Sequence, residues 1–457
     1  MPDSSNSDAN LSSGQPLSRQ ARVDFPTSLD LQKKSHALIP GGCHTYAKGD
    51  DQFPILAPGF ISHGRGCRVW DIDGNEYIEY GMGCRAVTLG HAFPTVVEPA
   101  KAEMARGANF SRPAPIEVEC AEEFLSLIDG ADMVKFCKDG SDATTAAIKL
   151  ARAHTGRDKI ALCSDHPFFA IDDWFIGTTP LQAGIPKAIR DLSLTFQYDD
   201  VDGLHRLFKD HPGEIAGLIL EPAKYADPRD DFLHKAKDIC HQNGAVFILD
   251  EMITGFRWHI GGGQKYYGIV PDLSTFGKAL ANGFSVSALA GKKELMELGG
   301  IQHDKERVFL LSTTHGAETH SLAAAIATMR FYKTHPVIET LDRQGERLRQ
   351  GVDAVIRGHG LQDFVQVIGK ACCLVLVSRD GDKQPSQWLR TLMLQELIKR
   401  GVIVPSLVIS YSHNDEDVDW TINAIDESLH VYRKALDEGP EKYLVGRPSK
   451  GVYRKYN

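Results

Sequence analysis

Between about residues 130 and 290, short apolar segments alternate with stretches of helical periodicity, and this alternation constrains the fold most strongly. The apolar segments have the length of buried strands and cover residues 133–137, 159–163, 192–198, 217–220, 245–249 and 286–290. The helical patterns between them cover residues 142–154, 201–209 and 230–243. Strands that alternate with helices form a parallel sheet with helices on both faces. The sequence therefore predicts an α/β fold built on a mainly parallel sheet.

The rest of the chain predicts a second, smaller α/β domain. A long helical stretch over residues 321–357 precedes strand patterns at 365–377 and 402–410, with a helix at 387–400 between them. An amphipathic stretch follows at 417–436. Near the N-terminus, residues 67–80 predict a hairpin, because an Asp-Gly pair separates two strand-like segments.

These patterns divide the chain into five parts. Residues 1–22 are polar, with few large apolar side chains, and we expect a disordered leader there. Residues 23–75 contribute to the small domain, 76–325 form the large domain, and 326–438 complete the small one. Residues 439–457 form a tail whose shape the sequence does not predict.

Composition excludes several classes of protein. The chain has 51 Lys and Arg against 60 Asp and Glu, a net charge of −9, so no basic surface for nucleic acid is expected. No apolar run approaches the roughly 18 residues of a membrane-spanning helix, and the N-terminal segment lacks the apolar core of a secretory signal. The nine cysteines show neither a CxxC pair nor metal-type spacing. We expect a cytoplasmic protein with reduced cysteines and no metal, nucleic-acid or membrane partner.

Three features at the ends of predicted strands carry possible chemistry. The first is the turn from the strand at 133–137 into a helix, through Asp139, Gly140 and Ser141. The exposed N–H groups at the start of a helix form a seat for phosphate. An ordinary N-cap by Asp139 or Ser141 explains the same residues.

The second feature is Asp250, which directly follows the buried strand pattern at 245–249. A carboxylate in this place suits a protonated ring nitrogen, a metal ion or a purely structural role at the rim of the sheet.

The third feature is Lys278, which stands in the apolar, glycine-flanked run 276–283. Burial lowers the pKa of a lysine and favours the neutral amine that attacks a carbonyl group. A solvent-facing lysine in a loop is the alternative.

Together the three features match the needs of one cofactor. A phosphate seat, an acid for a ring nitrogen and a desolvated amine are what pyridoxal phosphate requires. No GxxxxGK[ST] phosphate loop and no GxGxxG signature after an early strand competes with this interpretation. An aldolase that uses the lysine without a cofactor would leave the phosphate seat and Asp250 without a purpose.

With these three features, the chain resembles the class III pyridoxal-phosphate-dependent aminotransferases, most closely the branch that contains glutamate-1-semialdehyde 2,1-aminomutase. Matching motifs follow in order from about residue 39 to 436: IPGG at 39–42, VWDIDGNEYIEY at 69–80, LGHAFP at 89–94, LILEP at 218–222, DEMITGFR at 250–257 and PDLSTFGKALANG at 271–283. The resemblance implies fold type I of the pyridoxal-phosphate-dependent transferases.

The resemblance also implies roles for individual residues. Lys278 would hold the cofactor covalently and act as the general base and acid, and Asp250 would pair with the ring nitrogen. Gly140 and Ser141 would bind the phosphate, and Met252 would pack against one face of the ring.

Two further positions follow from the resemblance. Phe168 would stack on the other face of the ring, although the family's His-Gly after this aromatic is here Phe169-Ala170. Thr314 would reach the phosphate of a neighbouring subunit, which implies a homodimer with shared active sites.

The largest departure from the family concerns the substrate. Semialdehyde aminomutases carry an arginine after IPGG that binds the substrate carboxylate, whereas this chain has His44, Tyr46 and Lys48 there. Lysine does not replace a bidentate arginine conservatively. We therefore expect these three residues either to contact a polar, carboxylate-poor substrate, such as an oxidised sugar or an amino aldehyde, or to be structural groups of an entry loop.

The prediction is a homodimeric aminotransferase that moves an amino group between an amino donor and a small polar aldehyde or ketone. An intramolecular aminomutase is an alternative with the same cofactor. A non-catalytic regulatory or scaffold protein of the same fold is the alternative from another class, and the Lys278–Asp250 pair argues against it.

Overall fold

The structure, a computed structural model, describes residues 24–165 and 168–456. The predicted disordered leader, residues 1–22, lies outside these ranges. Within them, no helix is both long and apolar enough to cross a membrane.

A seven-stranded sheet forms the centre of the molecule, with the strand order β4-β10-β9-β8-β7-β5-β6. Its strands are β4 (Met133–Cys137), β5 (Lys159–Cys163), β6 (Ser193–Phe196), β7 (Ile215–Leu220), β8 (Val246–Asp250), β9 (Leu273–Phe276) and β10 (Ser287–Gly291). All strands are parallel except β10, which runs antiparallel to β4 and to β9. The predicted α/β fold with a mainly parallel sheet is confirmed.

Two smaller sheets flank the central one. The first has the order β1-β2-β3-β13 and contains β1 (Ile61–Arg65), β2 (Arg68–Asp71), β3 (Glu76–Glu79) and β13 (Val402–Ile403). The second has the order β11-β12-β14 and contains β11 (Val365–Ile368), β12 (Cys373–Ser378) and β14 (Leu407–Val408). β2 and β3 form the predicted antiparallel hairpin, and β13 brings the late part of the chain beside it. The domain limits inferred from the sequence stay a prediction.

The α-helices are α1 (Pro26–Leu38), α2 (Met82–Arg85), α3 (Pro94–Met104), α4 (Pro115–Leu125), α5 (Gly140–Thr155), α6 (Asp173–Ile176), α7 (Lys187–Arg190), α8 (Val201–Asp210), α9 (Phe232–Gln242), α10 (Gly262–Tyr266), α11 (Lys293–Met296), α12 (Thr319–Thr334), α13 (Val337–Gly358), α14 (Gln387–Lys399) and α15 (Asp415–Glu438). The carboxylate of Asp139 caps α5 by accepting from the N–H groups of Ser141 and Asp142. Gly156 ends this helix in the left-handed conformation.

The structure corrects two sequence predictions. The long helix expected over 321–357 is two helices, α12 and α13, because Pro336 interrupts the backbone hydrogen bonds between them. The strand pattern at 365–377 is an antiparallel hairpin, and Gly369, with φ of 100°, lies between its strands.

α2 is unusual because its residues have positive φ: 42° at Met82, 57° at Gly83, 58° at Cys84 and 71° at Arg85. A left-handed turn costs about 1–2 kcal/mol for each residue that carries a Cβ. Such strain concentrates at functional sites, which directs attention to this segment.

The tail packs back onto the N-terminal part of the chain. The guanidinium of Arg447 donates to the carbonyls of Asp50 and Phe53, and the N–H of Lys450 donates to the carbonyl of Asp51. Arg454 forms an ion pair with the Asp51 carboxylate at 2.7 Å.

His413 holds the turn before α15 and must be uncharged to do so. Its Nδ1 accepts from the N–H of Ser410 at 3.0 Å, and its ring lies 4.5 Å from the ring of Tyr80. Burial lowers the pKa of His413 from 6.5 to about 4. Because the unfolded chain binds this proton more tightly, the stabilisation is present above pH 6.5 and is lost as the pH falls towards 4.

We therefore expect His413 to lower the free energy of unfolding by up to about 1.4 kcal/mol for each pH unit as the pH falls from 6.5 to about 4. Thermal unfolding of wild type and His413→Gln from pH 7 to pH 4 measures the difference in slope, and the exposed His205→Gln is the control. Parallel slopes in wild type and His413→Gln would contradict the assignment.

Candidate active site

Three of the predicted site residues, Gly140, Asp250 and Lys278, lie at one edge of the central sheet. β7, β8 and β9 are parallel, and β4 runs in the same direction because β10 is antiparallel to both β4 and β9. Their carboxyl ends therefore share one edge, which is where ligands bind in open α/β sheets. Asp250 ends β8, Lys278 follows β9, and Gly140 follows β4.

The start of α5 is both a capped helix end and a candidate phosphate seat. The Asp139 carboxylate accepts from the N–H of Ser141 at 2.8 Å, so the predicted capping role is present. The Ser141 hydroxyl accepts from the N–H of Ile171 at 3.1 Å. The hydroxyl proton of Ser141 and the N–H of Gly140 donate to no residue within the described ranges.

Met252 lies between the start of α5 and Gly277, the residue before Lys278. A Cβ on Gly140 would lie 3.0 Å from the Met252 sulfur, and a Cβ on Gly277 would lie 2.7 Å from it. Only glycine fits at these two positions without moving the sulfur. The two glycines thus let the Met252 side chain pack closely against the start of α5 and against the residue before Lys278.

Asp250 is a buried carboxylate, with 1% of its surface exposed. Its Oδ1 accepts from the N–H of Met252 at 2.9 Å and from the Thr275 hydroxyl at 3.2 Å. No side chain or N–H in the described part of the chain donates to Oδ2. Burial raises the pKa of Asp250 to about 6, against the opposing charge of Lys278. A cationic ring nitrogen beside Oδ2 would favour the charged carboxylate.

Lys278 begins a short 3₁₀ turn, Lys278–Ala281, with φ of 44°. Its side chain is mostly buried, and its Nζ donates to no residue in the ranges described. Burial lowers the pKa of Lys278, although the charges of Asp250 and Glu221 oppose the shift. The amine is therefore poised to attack a carbonyl group.

Glu221 is a functional candidate that the sequence reasoning did not single out. It follows β7 as Asp250 ends β8, and it is only 3% exposed. Burial and the charge of Asp250 raise the pKa of Glu221 to about 7. Burial lowers the pKa of the neighbouring Lys224 to about 8, although Glu221 opposes this. In the sequence, the position of Glu221 directly after a buried strand is the signal that could have indicated a functional role.

Glu251 explains the glycine run 261–263 as a structural feature. The Glu251 carboxylate accepts from the N–H groups of Gly263 at 2.7 Å and Gln264 at 2.6 Å, and from the Thr254 hydroxyl. A Cβ on Gly262, where φ is 85°, would lie 2.9 Å from this carboxylate. The run is a structural cap that anchors the loop after Asp250.

Phe168 is 47% exposed and directly follows the two residues that the structure does not describe. Its ring lies 5.8 Å from that of Phe175, in an edge-to-face arrangement. The bond from Ile171 to Ser141 ties this loop to the start of α5.

Thr314 is exposed, and its carbonyl accepts from the side chain of Asn109 at 2.8 Å. It lines a surface cavity of about 520 Å³ formed by the segments 108–114 and 311–319. No hydrogen bond joins Thr314 to Gly140, Asp250 or Lys278 within the described chain.

The three substrate candidates of the entry segment all lie at the surface. His44, Tyr46 and Lys48 are exposed, Tyr46 to 62%. The structure does not bring them into contact with Lys278.

A lysine and an acid at the ends of adjacent parallel strands, with a helix start beside them, are typical of a cofactor-binding α/β enzyme. The family model of the class III aminotransferases matches residues 45–429. The chain belongs to this family, and its cofactor is pyridoxal phosphate.

Relatives of known name match almost the whole chain. The 3-aminobutyryl-CoA aminotransferase of Cloacimonas acidaminovorans is 30% identical over 91% of this chain and 99% of its own. The glutamate-1-semialdehyde 2,1-aminomutase of Acetivibrio thermocellus is 31% identical over 89% of this chain and 97% of its own.

Solved structures agree with the fold. The FumI protein of Sphingopyxis sp. MTA144, whose structure contains PLP, is 29% identical, with a TM-score of 0.82 over 92% of this chain and 99% of its own. An omega-transaminase from Sphaerobacter thermophilus is 26% identical, with a TM-score of 0.80 over 89% of this chain and 98% of its own. The expected fold type I is confirmed.

The residues present fit pyridoxal phosphate. The Oδ2 of the buried Asp250, to which no described residue donates, suits its ring nitrogen. The free donors of Gly140 and Ser141 suit its phosphate.

Proposed function

We propose that the protein is an aminotransferase that moves an amino group from an amino donor to a small polar aldehyde or ketone. The observation that carries this proposal is the mostly buried Lys278, whose charge acts on the buried carboxylate of Asp250 at the same sheet edge. A scaffold protein would have no use for such a pair, because each group is costly to bury.

In the proposed mechanism, pyridoxal phosphate supplies the carbonyl that receives the amino group and a ring that withdraws electrons from the reacting carbon. Asp250 keeps the ring nitrogen protonated. Lys278 Nζ would take a proton from the substrate carbon that bears the amino group and would later give the proton up again, and its lowered pKa suits both directions. Gly140, Ser141 and Met252 hold and orient the cofactor, with Phe168 on the other face of its ring.

We also propose a homodimer in which Thr314 serves the site of the neighbouring subunit. Its exposure and its lack of a bond to the described site residues of its own chain support this assignment. A cytoplasmic location is supported by the burial of seven of the nine cysteines.

For the acceptor we propose a polar carbonyl compound, such as an oxidised sugar or an amino aldehyde, that contacts His44, Tyr46 and Lys48. The C-terminal tail links the segment of these three residues to the loop that contains Phe168, and this connection supports the proposal. Arg454 pairs with Asp51, and the Tyr453 ring lies 6.4 Å from that of Phe175, which contacts Phe168.

An intramolecular aminomutase is the second candidate, because several relatives near 30% identity carry that name. The exposed Lys48, in place of the expected arginine, favours intermolecular transfer over this alternative.

A donor screen separates the candidates. We expect an external amino donor to bleach the visible absorbance of the bound cofactor, and a carbonyl acceptor to restore it. Isomerisation of glutamate-1-semialdehyde without any external donor would instead establish the aminomutase. Absence of both reactions in protein loaded with the cofactor would support the scaffold.

A further inference from the structure

Arg85 is a mostly buried arginine that the proposed mechanism does not use. Its Nε donates to the sulfur of Cys373 at 3.4 Å, which is a weak acceptor. Its two terminal nitrogens donate to no residue within 24–165 and 168–456. No carboxylate of these residues lies within ion-pair distance of it. A buried guanidinium normally has such a partner.

A second arginine fixes the backbone of Arg85. The fully buried Arg257 donates to the carbonyl of Arg85 and to the Thr88 hydroxyl, both at 3.0 Å, and to the carbonyl of Ile409 at 3.0 Å. Both terminal nitrogens of Arg257 are therefore committed to structure, whereas those of Arg85 are available.

The lysine turn holds the same segment from the other side. Asn282, four residues after Lys278, accepts from the N–H groups of Thr88 at 2.9 Å and Leu89 at 2.8 Å. It also donates to the carbonyl of Gly90 at 3.0 Å. These bonds couple the position of Arg85 to the position of Lys278.

The charges around Arg85 leave room for an anion. Arg85 lies near enough to Lys278 that its charge contributes to the lowered pKa of that lysine, after the larger effect of burial. Lys224 brings a further cation to the same side. The carboxyl near Arg85 is that of Glu221, and burial raises the pKa of Glu221 to about 7.

We propose that Arg85 binds a carboxylate of the amino donor, which makes an amino acid the donor class. This inference rests on the proposed transamination at Lys278. A carboxylate matches the two free donors of the guanidinium in a bidentate geometry. Lys48, the cation of the entry segment, is exposed and has no such geometry.

The test compares wild type with Arg85→Gln, Arg85→Lys and the control Arg357→Gln, which changes an exposed arginine of α13. Calorimetric titration of the cofactor-loaded protein with glutarate measures carboxylate binding without turnover. Stopped-flow bleaching with L-glutamate and with 1-phenylethylamine, which has no carboxylate, measures the donor reaction.

We expect Arg85→Gln to weaken glutarate binding and to lower kcat/KM for glutamate by about 10- to 100-fold each. Arg85→Lys should recover part of both losses, and Arg357→Gln should match wild type. The rate with 1-phenylethylamine and the visible spectrum of the cofactor should not change, which excludes misfolding.

Wild-type protein that binds no glutarate, or equal glutarate binding in wild type and Arg85→Gln, would overturn the inference. If no donor bleaches the wild-type cofactor, the proposed function fails, and the titration still decides the role of Arg85. If donors react but Arg85→Gln slows glutamate and 1-phenylethylamine equally, the proposed function stands and the carboxylate contact does not.

Discussion

Replacing Lys278 with alanine is expected to lower amino transfer about 10⁴-fold or more, because one substitution removes both the covalent attachment and the general base. The structure offers no substitute at the amine's position, since Nζ has no hydrogen-bonded partner among the described residues that could relay a proton. Single-turnover absorbance with an amino donor measures the loss.

The matched control is Lys235→Ala, which removes an exposed lysine of α9. It should retain wild-type turnover. Unfolding temperatures of both variants should stay close to wild type, because the side chain of Lys278 makes no hydrogen bond within the described structure. Substantial turnover by Lys278→Ala would remove this residue from the mechanism.

Asp250→Asn is expected to give the second-largest effect, a loss of about 10²–10³-fold in turnover. Asparagine retains an oxygen for the N–H of Met252 and the Thr275 hydroxyl, so the fold should persist. It lacks the negative charge that keeps a ring nitrogen protonated. The turnover number and the visible spectrum of the cofactor report the change.

The pH profile gives an independent check on Asp250. Burial raises the pKa of its carboxyl to about 6. Protonation below that pH removes the negative charge, so cofactor affinity should fall as the pH decreases through this range. The fall should be absent in Asp250→Asn, whose affinity should be low at every pH. If cofactor affinity depended on pH in the same way in wild type and in Asp250→Asn, the assignment of Asp250 to the ring nitrogen would be contradicted.

Much of the fold could be predicted because its strands are short apolar runs of β-branched and other apolar residues. β9 was missed, since its four residues, Leu273–Phe276, contain a serine and a threonine and merge with the lysine motif. The break between α12 and α13 was missed although Pro336 marks it, because apolar periodicity continues across the proline.

The site was predictable where chemistry coincides with strand ends. Asp250 and Lys278 each stand beside a buried strand, so their residue types and positions indicated the same sheet edge. Arg85 was not predictable in this way. It lies in a left-handed turn that no propensity favours, and long-range bonds from Arg257 and Asn282 place it.

The central claim is that pyridoxal phosphate is attached to the amine of Lys278. Borohydride reduction of the cofactor-loaded protein, followed by proteolysis and mass spectrometry of the peptides, tests it most directly. We expect the phosphopyridoxyl mass on the peptide that contains Lys278. The same mass on another lysine, or on no peptide after loading with the cofactor, would contradict it.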